Sequence, residues 1–477
     1  MATKRDLVEA HAFSRRRLVT AFVSDAPGGR EVEPARPART IVGGLGLAVL
    51  VVAGAAGTGI FAPRTPDDWT EPGLIISREQ GAAYVILDER TSRPVLRPLA
   101  NITSAQLILG ADIEPRILSQ DDIDGETVGE DIGIFGAPAS APSPDKLVET
   151  GWTACTGDGL GIKVDVAAVP GVRPSPDSGF AVRSEGRTYL IARGEPVGDE
   201  APRAHAYAVS AAGSDQDNLL NALGFPGRAQ TPTVPADWIR LFPPGGVLGF
   251  DTFGVTGFGD AAPGAGAGIG LPSDARVGDY VPVGDGALLL TEDGPVQLSE
   301  FALAVYRNVA HPDGADAREL DLDAPPSLAQ AVSALDGAHW PARPLSREPG
   351  QTCALLQPVA GEAPAVQIAT APTGNASADV VPAHRKELWV DRGRGAYVLS
   401  GAWDGTASGR PFLIDRRTLR YELVGPGAAD RLGYGDYDVP VVPDPWVELF
   451  SPGVPLSIDA ARCPPSAETA TGSSCGS

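Results

Sequence analysis

A run of 22 residues without a charge, from Ile41 to Ala62, constrains this chain more than any other feature. It reads IVGGLGLAVLVVAGAAGTGIFA. As a helix rising about 1.5 Å per residue it reaches roughly 33 Å, enough to cross a hydrocarbon core of about 30 Å. Pairs such as Ala53/Gly57 and Ala55/Gly59 have the small-xxx-small spacing that lets helices approach closely. A cleaved signal peptide is the alternative. The 40 residues before the run are long for the leading region of such a peptide, so we read a retained anchor.

Charge orients the anchor. Arg15, Arg16, Arg17, Arg36 and Arg39 precede it, whereas Asp67, Asp68 and Glu71 follow it with only Arg64 nearby. The positive-inside rule then puts the N-terminus in the cytoplasm and the C-terminal bulk outside, in a single-pass cell-membrane protein. Residues 1–40 form a cytoplasmic basic head, in which Asp6 to Val23 reads as a helix that can dock on lipid or a partner. Residues 41–62 form the transmembrane helix. Beyond residue 40 the chain has 30 basic and 55 acidic residues. So acidic a body repels phosphate backbones, and no nucleic acid is expected as a partner.

The whole chain carries 58 Gly and 45 Pro, which favours short elements and many turns over long helices. The exported part repeats itself at an offset near 200. Tyr84-Val-Ile-Leu with Arg93-Pro-Val-Leu96 resembles Leu288-Leu-Leu with Gly294-Pro-Val296. Gly151-Trp-Thr-Ala-Cys155 parallels Gly350-Gln-Thr-Cys353. Ala236-Asp-Trp-Ile-Arg-Leu-Phe-Pro-Pro-Gly245 parallels Asp444-Pro-Trp-Val-Glu-Leu-Phe-Ser-Pro-Gly453. Tyr189-Leu-Ile-Ala and Phe412-Leu-Ile-Asp supply two further strand signals.

The pattern predicts a mixed α/β (α+β) fold: an elongated, quasi-two-fold exported domain of four small repeats around a disulfide-linked β core. The repeats span 70–140, 186–250, 280–340 and 386–460, with core segments at 150–185 and 350–385 and a disordered tail at 464–477. Helical pieces are expected at Asn218–Leu223 and Leu298–Val309, the latter with an apolar face at 302, 305 and 309. Linkers are expected at 136–144 and 262–270. Trp238, Trp446, Phe242 and Phe450 recur in the repeats, which favours core packing over a binding surface.

Four cysteines, Cys155, Cys353, Cys463 and Cys475, allow three pairings. The repeat favours Cys155–Cys353, with Cys463 and Cys475 paired locally or free. No cysteine pair or histidine spacing suits a metal, and no phosphate loop, GxSxG elbow or HExxH appears. Asp121/Asp122 and Asp321/Asp323 read as solvated loops. Asn101-Ile-Thr103 and Asn375-Ala-Ser377 fit the glycosylation pattern. No catalytic residue can be named.

Taken in order, several segments resemble the EccB family, membrane components of the type VII (ESX) secretion system of actinobacteria. They are Val8-Glu-Ala-His-Ala-Phe-Ser-Arg-Arg-Arg-Leu-Val19, the single span, Gly81-Ala-Ala-Tyr-Val-Ile-Leu87, Ser104-Ala-Gln-Leu-Ile-Leu-Gly110 and Pro263-Gly-Ala-Gly266. The resemblance implies a structural, membrane-anchored subunit that scaffolds an inner-membrane complex for protein export. Implied partners are an EccC-like motor ATPase, EccD-like and EccE-like membrane proteins, a mycosin protease and the lipid bilayer. The alternative is an envelope-anchored nucleotide hydrolase with an unconventional site. Some family members are called ATPases, but no matching catalytic residue can be carried over. ATP therefore stays open as a cofactor, and no other cofactor is evident.

Overall fold

Apolar residues at Leu74, Ile75, Val85 and Ile86 are buried in the first two strands of the described chain. The computed structural model describes residues 68–465, apart from 89–92, 199, 266–269, 317, 323–332, 348–349, 371, 373 and 407–408. The basic head, the uncharged run and the tail with Cys475 therefore lie outside the described residues. Among the described residues no helix is long and apolar enough to cross a membrane.

Strands β1 (Gly73–Ser77), β2 (Ala83–Ile86) and β3 (Val95–Pro98) form an antiparallel meander. Helix α1 (Ile102–Leu109) follows, capped by the Asn101 side chain, which accepts from the Ser104 amide. Then β4 (Arg116–Leu118) returns parallel to β1. Helix α2 (Gln120–Asp124) starts at a Ser119 cap and leads to β5 (Thr127–Val128), parallel to β3. The first module thus has the order β4-β1-β2-β3-β5.

The chain next lays down β6 (Trp152–Thr156), β7 (Ile162–Val166) and β8 (Arg173–Pro174). The second module begins with β9 (Gly179–Ser184), β10 (Arg187–Arg193) and β11 (Ala204–Ala208), followed by α3 (Gly213–Ala222) and α4 (Ala236–Ile239). Here β9 bridges in parallel to Thr233 and β11 to Pro244, so the connections match those of the first module. The third has β12 (Tyr280–Val283), β13 (Gly286–Thr291), β14 (Gly294–Leu298) and α5 (Glu300–Asn308), with Tyr280 bridging in parallel to Glu319. After β15 (Thr352–Leu356), β16 (Val366–Thr370) and β17 (Lys386–Val390) comes the fourth module. It holds β18 (Ala396–Gly401), β19 (Arg410–Ile414), β20 (Leu419–Glu422), α6 (Ala428–Arg431), β21 (Val441–Pro443), α7 (Asp444–Val447) and β22 (Ser451–Pro452). Its order is β21-β18-β19-β20-β22, with the two edge strands parallel to their neighbours as in the first module. Helix α8 (Ile458–Ala461) closes the described chain.

Strands from both cysteine segments join in one six-stranded sheet, β17-β7-β6-β15-β16-β8. Two boundaries differ from the sequence reading. Strand β9 belongs to the second module, because Glu185 and Gly186, both at positive φ, make a tight hairpin that pairs it with β10. Strand β17 belongs to the central sheet, where it runs parallel to β7. Helix α3 also starts five residues before the expected Asn218, since its first turn is polar and exposes no apolar periodicity. The stretch at 136–144 is no loose linker. Ala137 and Ala141 are buried, and the Pro142 carbonyl accepts from the Tyr434 hydroxyl at 2.7 Å.

Packing crosses over. Helices α3 and α5 share a core, so the second module packs against the third. Helix α1 packs against α6 and α8, so the first module packs against the fourth. The second and fourth modules each turn their other sheet face to one face of the central sheet, the second through Phe180, Val182 and Ile191 and the fourth through Ala396, Val398 and Ile414. These strands are buried on both faces, which is why they read as continuous apolar runs.

Candidate functional site: the seam between the halves

The alternation of β6 and β15 separates two environments. Trp152, Ala154, Ala354 and Leu356 face the large core with Trp238 and Trp446, whereas Cys155, Cys353 and Leu355 face a smaller cluster with Ala376 and Val381. Cys155 stands directly opposite Cys353 in the antiparallel ladder and is bonded to it, with Cα atoms 4.0 Å apart. Both are fully buried. Cys463 is also in a disulfide.

On the large-core side α4 and α7 meet. The Trp238 indole N–H donates to the Ala154 carbonyl at 2.9 Å, and that of Trp446 to the Leu241 carbonyl at 3.1 Å. Both rings are fully buried, with Phe450 edge-on to Trp152 and Phe242 edge-on to Trp238. At roughly 150–250 Å² apiece they anchor the seam by burial. Arg240 and Glu448, at the same place in the two copies of the motif, bond each other at 2.7 Å. Both are about half exposed, so the pair guides register and adds little energy. The glycine ending each motif has a packing reason. A Cβ on Gly245 would sit 2.2 Å from the Tyr207 ring, and one on Gly453 2.5 Å from Tyr421.

Two ionisable groups near the seam are displaced from their usual ranges. Asp165 on β7 is raised to about 6 by burial and by the neighbouring Asp391 charge. Beside it Lys163 pairs with Glu387 across the sheet. His205 on β11 stacks on His339, with ring centroids 4.6 Å apart and 12° between planes. His205 is buried, and among the described residues its Nδ1 has no hydrogen-bond partner. Burial, then His339 and Arg203, bring its pKa down to about 4. Facing the pair are Arg203, Glu195, Glu200 and Tyr207. His339 Nδ1 lies 3.8 Å from Glu200 and 3.3 Å from the Glu195 carbonyl, and the Tyr207 hydroxyl donates to the His339 carbonyl.

The sign of the resulting pH dependence follows from linkage. The unfolded chain protonates His205 near 6.5 and the folded one near 4, so acid favours the unfolded state between those values. The fold should lose about 2 kcal/mol from this group by pH 5 and about 1 kcal/mol more by pH 4, the loss levelling off below that. Asp165 acts in the opposite sense over about 6 to 3.8, its folded form taking up the proton first. Subtracting denaturant melts of His205→Gln from those of the native protein at pH 7.5 and pH 5 isolates the histidine. Equal pH slopes in the two proteins would remove this account.

Of the residues singled out from sequence, the structure brings together Cys155 and Cys353. Arg15, Arg16, Arg17, Arg36 and Arg39 lie outside the described residues. Asn101, in a glycosylation pattern, is already engaged, since its amide also donates to the Ile134 carbonyl at 2.8 Å. Asp121 and Asp122 lie in the first turn of α2 rather than in a loop. Among the described residues no three His, Cys, Asp or Glu side chains gather closely enough to hold a metal. Sequence reasoning missed the His205–His339 stack, which joins positions 134 apart with no local signal. It also missed the Arg240–Glu448 pair, although opposite charges at matching places in the two motifs carry a signal for it.

Residues 1–466 match the family described as "Type VII secretion system ESX-1, transport TM domain B". The chain is 25% identical over 475 residues to the ESX-3 secretion system ATPase EccB3 of Mycobacterium tuberculosis (strain ATCC 25618 / H37Rv), covering 86% of this chain and 80% of that protein. It is 30% identical over 216 residues to the ESX-1 secretion system ATPase EccB1 of Mycolicibacterium smegmatis (strain MKD8), covering 42% of this chain and less than half, 44%, of the relative. The fold is shared with solved structures. An EccB3 dimer from the ESX-3 core complex aligns with a TM-score of 0.59 at 21% identity, over 82% of this chain and all of that one. A chain of an intact ESX-5 inner membrane complex aligns with a TM-score of 0.60 at 20% identity, over 98% of this chain and 96% of that one.

Proposed function

This chain belongs to the EccB family of type VII secretion systems, and on that premise we propose that it is a membrane-anchored scaffold of such a machine. The observation that carries the reading is the extent of the match, which takes in head, uncharged run and exported body as one family. In this reading residues 1–40 stay in the cytoplasm, 41–62 cross the membrane once, and the body stands outside. Its partners are the other subunits of the inner-membrane complex: an EccC-like motor, EccD-like and EccE-like membrane proteins, and a mycosin protease.

We further infer that the body is four copies of one repeat around a quasi-two-fold axis, at 70–140, 186–250, 280–340 and 386–460. Core segments at 150–185 and 350–385 complete it. The shared strand connections and the parallel edge strands of the first and fourth modules support this. The ladder supports it independently. A step forward on β6 is a step back on β15, whereas the repeat carries both forward together. The two relations agree at one pair, Cys155 and Cys353, 198 residues apart, which supports an axis through the disulfide.

Gentle extraction of the full chain from its native membrane tests the scaffold. A motor ATPase and a many-span protein should accompany it. Replacing Arg15, Arg16 and Arg17 with Gln should release those partners while leaving the melting of the body unchanged. Secretion supported by residues 70–463 alone would sink the role of the head and span. ATP hydrolysis, carried in the relatives' names, is the competing reading. A solitary, monodisperse protein with robust turnover would put it in place of the scaffold.

A further inference from the structure

The second module holds a pocket of about 370 Å³ between the β9–β10 hairpin, helix α3 and the turn at Arg228. Arg183, Thr188, Gln216, Asp217 and Arg228 line it. Its inventory of donors exceeds its acceptors. Arg183 uses one guanidinium nitrogen on the Thr233 hydroxyl at 3.1 Å. Arg228 uses Nε on Asp217, which also accepts from the Arg228 amide at 2.7 Å. That carboxylate is held below its ordinary range, first by the Arg228 backbone N–H, so it stays ionised and occupied. Thr188 and Gln216 are more than nine-tenths buried as residues and line the pocket, with no hydrogen bond from either side chain to another described residue. Their hydroxyl and amide are thus available to whatever enters the pocket.

We propose that this pocket binds a phosphoryl group. Two guanidinium groups bring charge and forked donors, and an amide and a hydroxyl approach from the buried wall. Donors from several directions suit the tetrahedral oxygens of phosphate, and Arg is the side chain best shaped to grip them. The space exceeds a bare phosphate ion, so the group arrives on a carrier, either a soluble phosphoester or the headgroup of an anionic lipid. The only carboxylate present is locked to Arg228, so the pocket is a binding site without a free general base.

Calorimetry on the full chain in phosphatidylcholine nanodiscs, at fixed ionic strength, tests this with inorganic phosphate and with ATP. Saturable binding of phosphate is expected, weakened at least tenfold in Arg183→Gln and measurably in Thr188→Val, both melting as the native protein does. A soluble carrier leaves phosphate binding unaffected when phosphatidylglycerol is added to the nanodisc. A lipid headgroup competes it away. Absence of saturable binding to either probe, or unchanged affinity in Arg183→Gln, would overturn the proposal.

Discussion

Residues 68–267 expressed without the rest of the chain should give no cooperative melt, and the same holds for residues 268–465. Produced together, the two fragments should copurify and melt as one body. The reason is the crossed packing. The first module finds the partner for α1 in the fourth, where Leu107 and Ile108 pack with Leu432, Ala460 and Ala461. The second finds it in the third, where Leu219 and Leu220 share a core with Phe301 and Val305. A half alone exposes two such faces together with its side of the central sheet. Apolar surface on that scale costs more than a small domain's whole margin of stability. Calorimetry and size-exclusion chromatography of each fragment decide the matter. Two monodisperse halves, each with its own sharp transition, would disprove the crossing.

Removing the central disulfide should have the second largest effect. Cys155 and Cys353 close a loop with a separation of 198 residues. Chain-entropy reasoning assigns such a closure about 5 kcal/mol, an upper figure where reduced chains keep some structure. For a body of this size that corresponds to a melting temperature lower by about 6 °C. The paired Cys155→Ser and Cys353→Ser change is the cleaner test, because it leaves no buried lone thiol. Calorimetry reads the shift, and non-reducing electrophoresis of the denatured protein reads the lost constraint. Native protein whose Cys155 and Cys353 both alkylate freely, or a double variant with unaltered melting, would rule out the staple.

Much of this architecture was legible in the residues. The duplicated Trp238 and Trp446 motifs announced buried anchors, and both rings are sealed from water. The matched cysteines announced the bond. What stayed hidden was which module touches which. A recurring sequence motif reveals its spacing, but the same apolar pattern satisfies a module packed on its own half or on the other. Nothing in Leu219 or Leu107 names its partner. The boundaries at β9 and β17 were obscured for a related reason. Both strands are short, and only the hairpin at Glu185-Gly186 and the parallel ladder to β7 assign them. The phosphoryl pocket left no motif, since Arg183, Gln216 and Arg228 come from three separate elements.

Both ends of the described chain belong to the same pair of modules. Strand β1 opens the first, and α8 closes against α1, with the Gly133 amide donating to the Cys463 carbonyl at 2.9 Å. The opposite pair has no chain end of its own. Any pull delivered through the residues before β1 therefore loads the ladder of β6 on β15, which joins the two halves of the chain. The covalent bond sits at the second of that ladder's five residue pairs and works as a shear pin. Load passes across the body without the two strands slipping register.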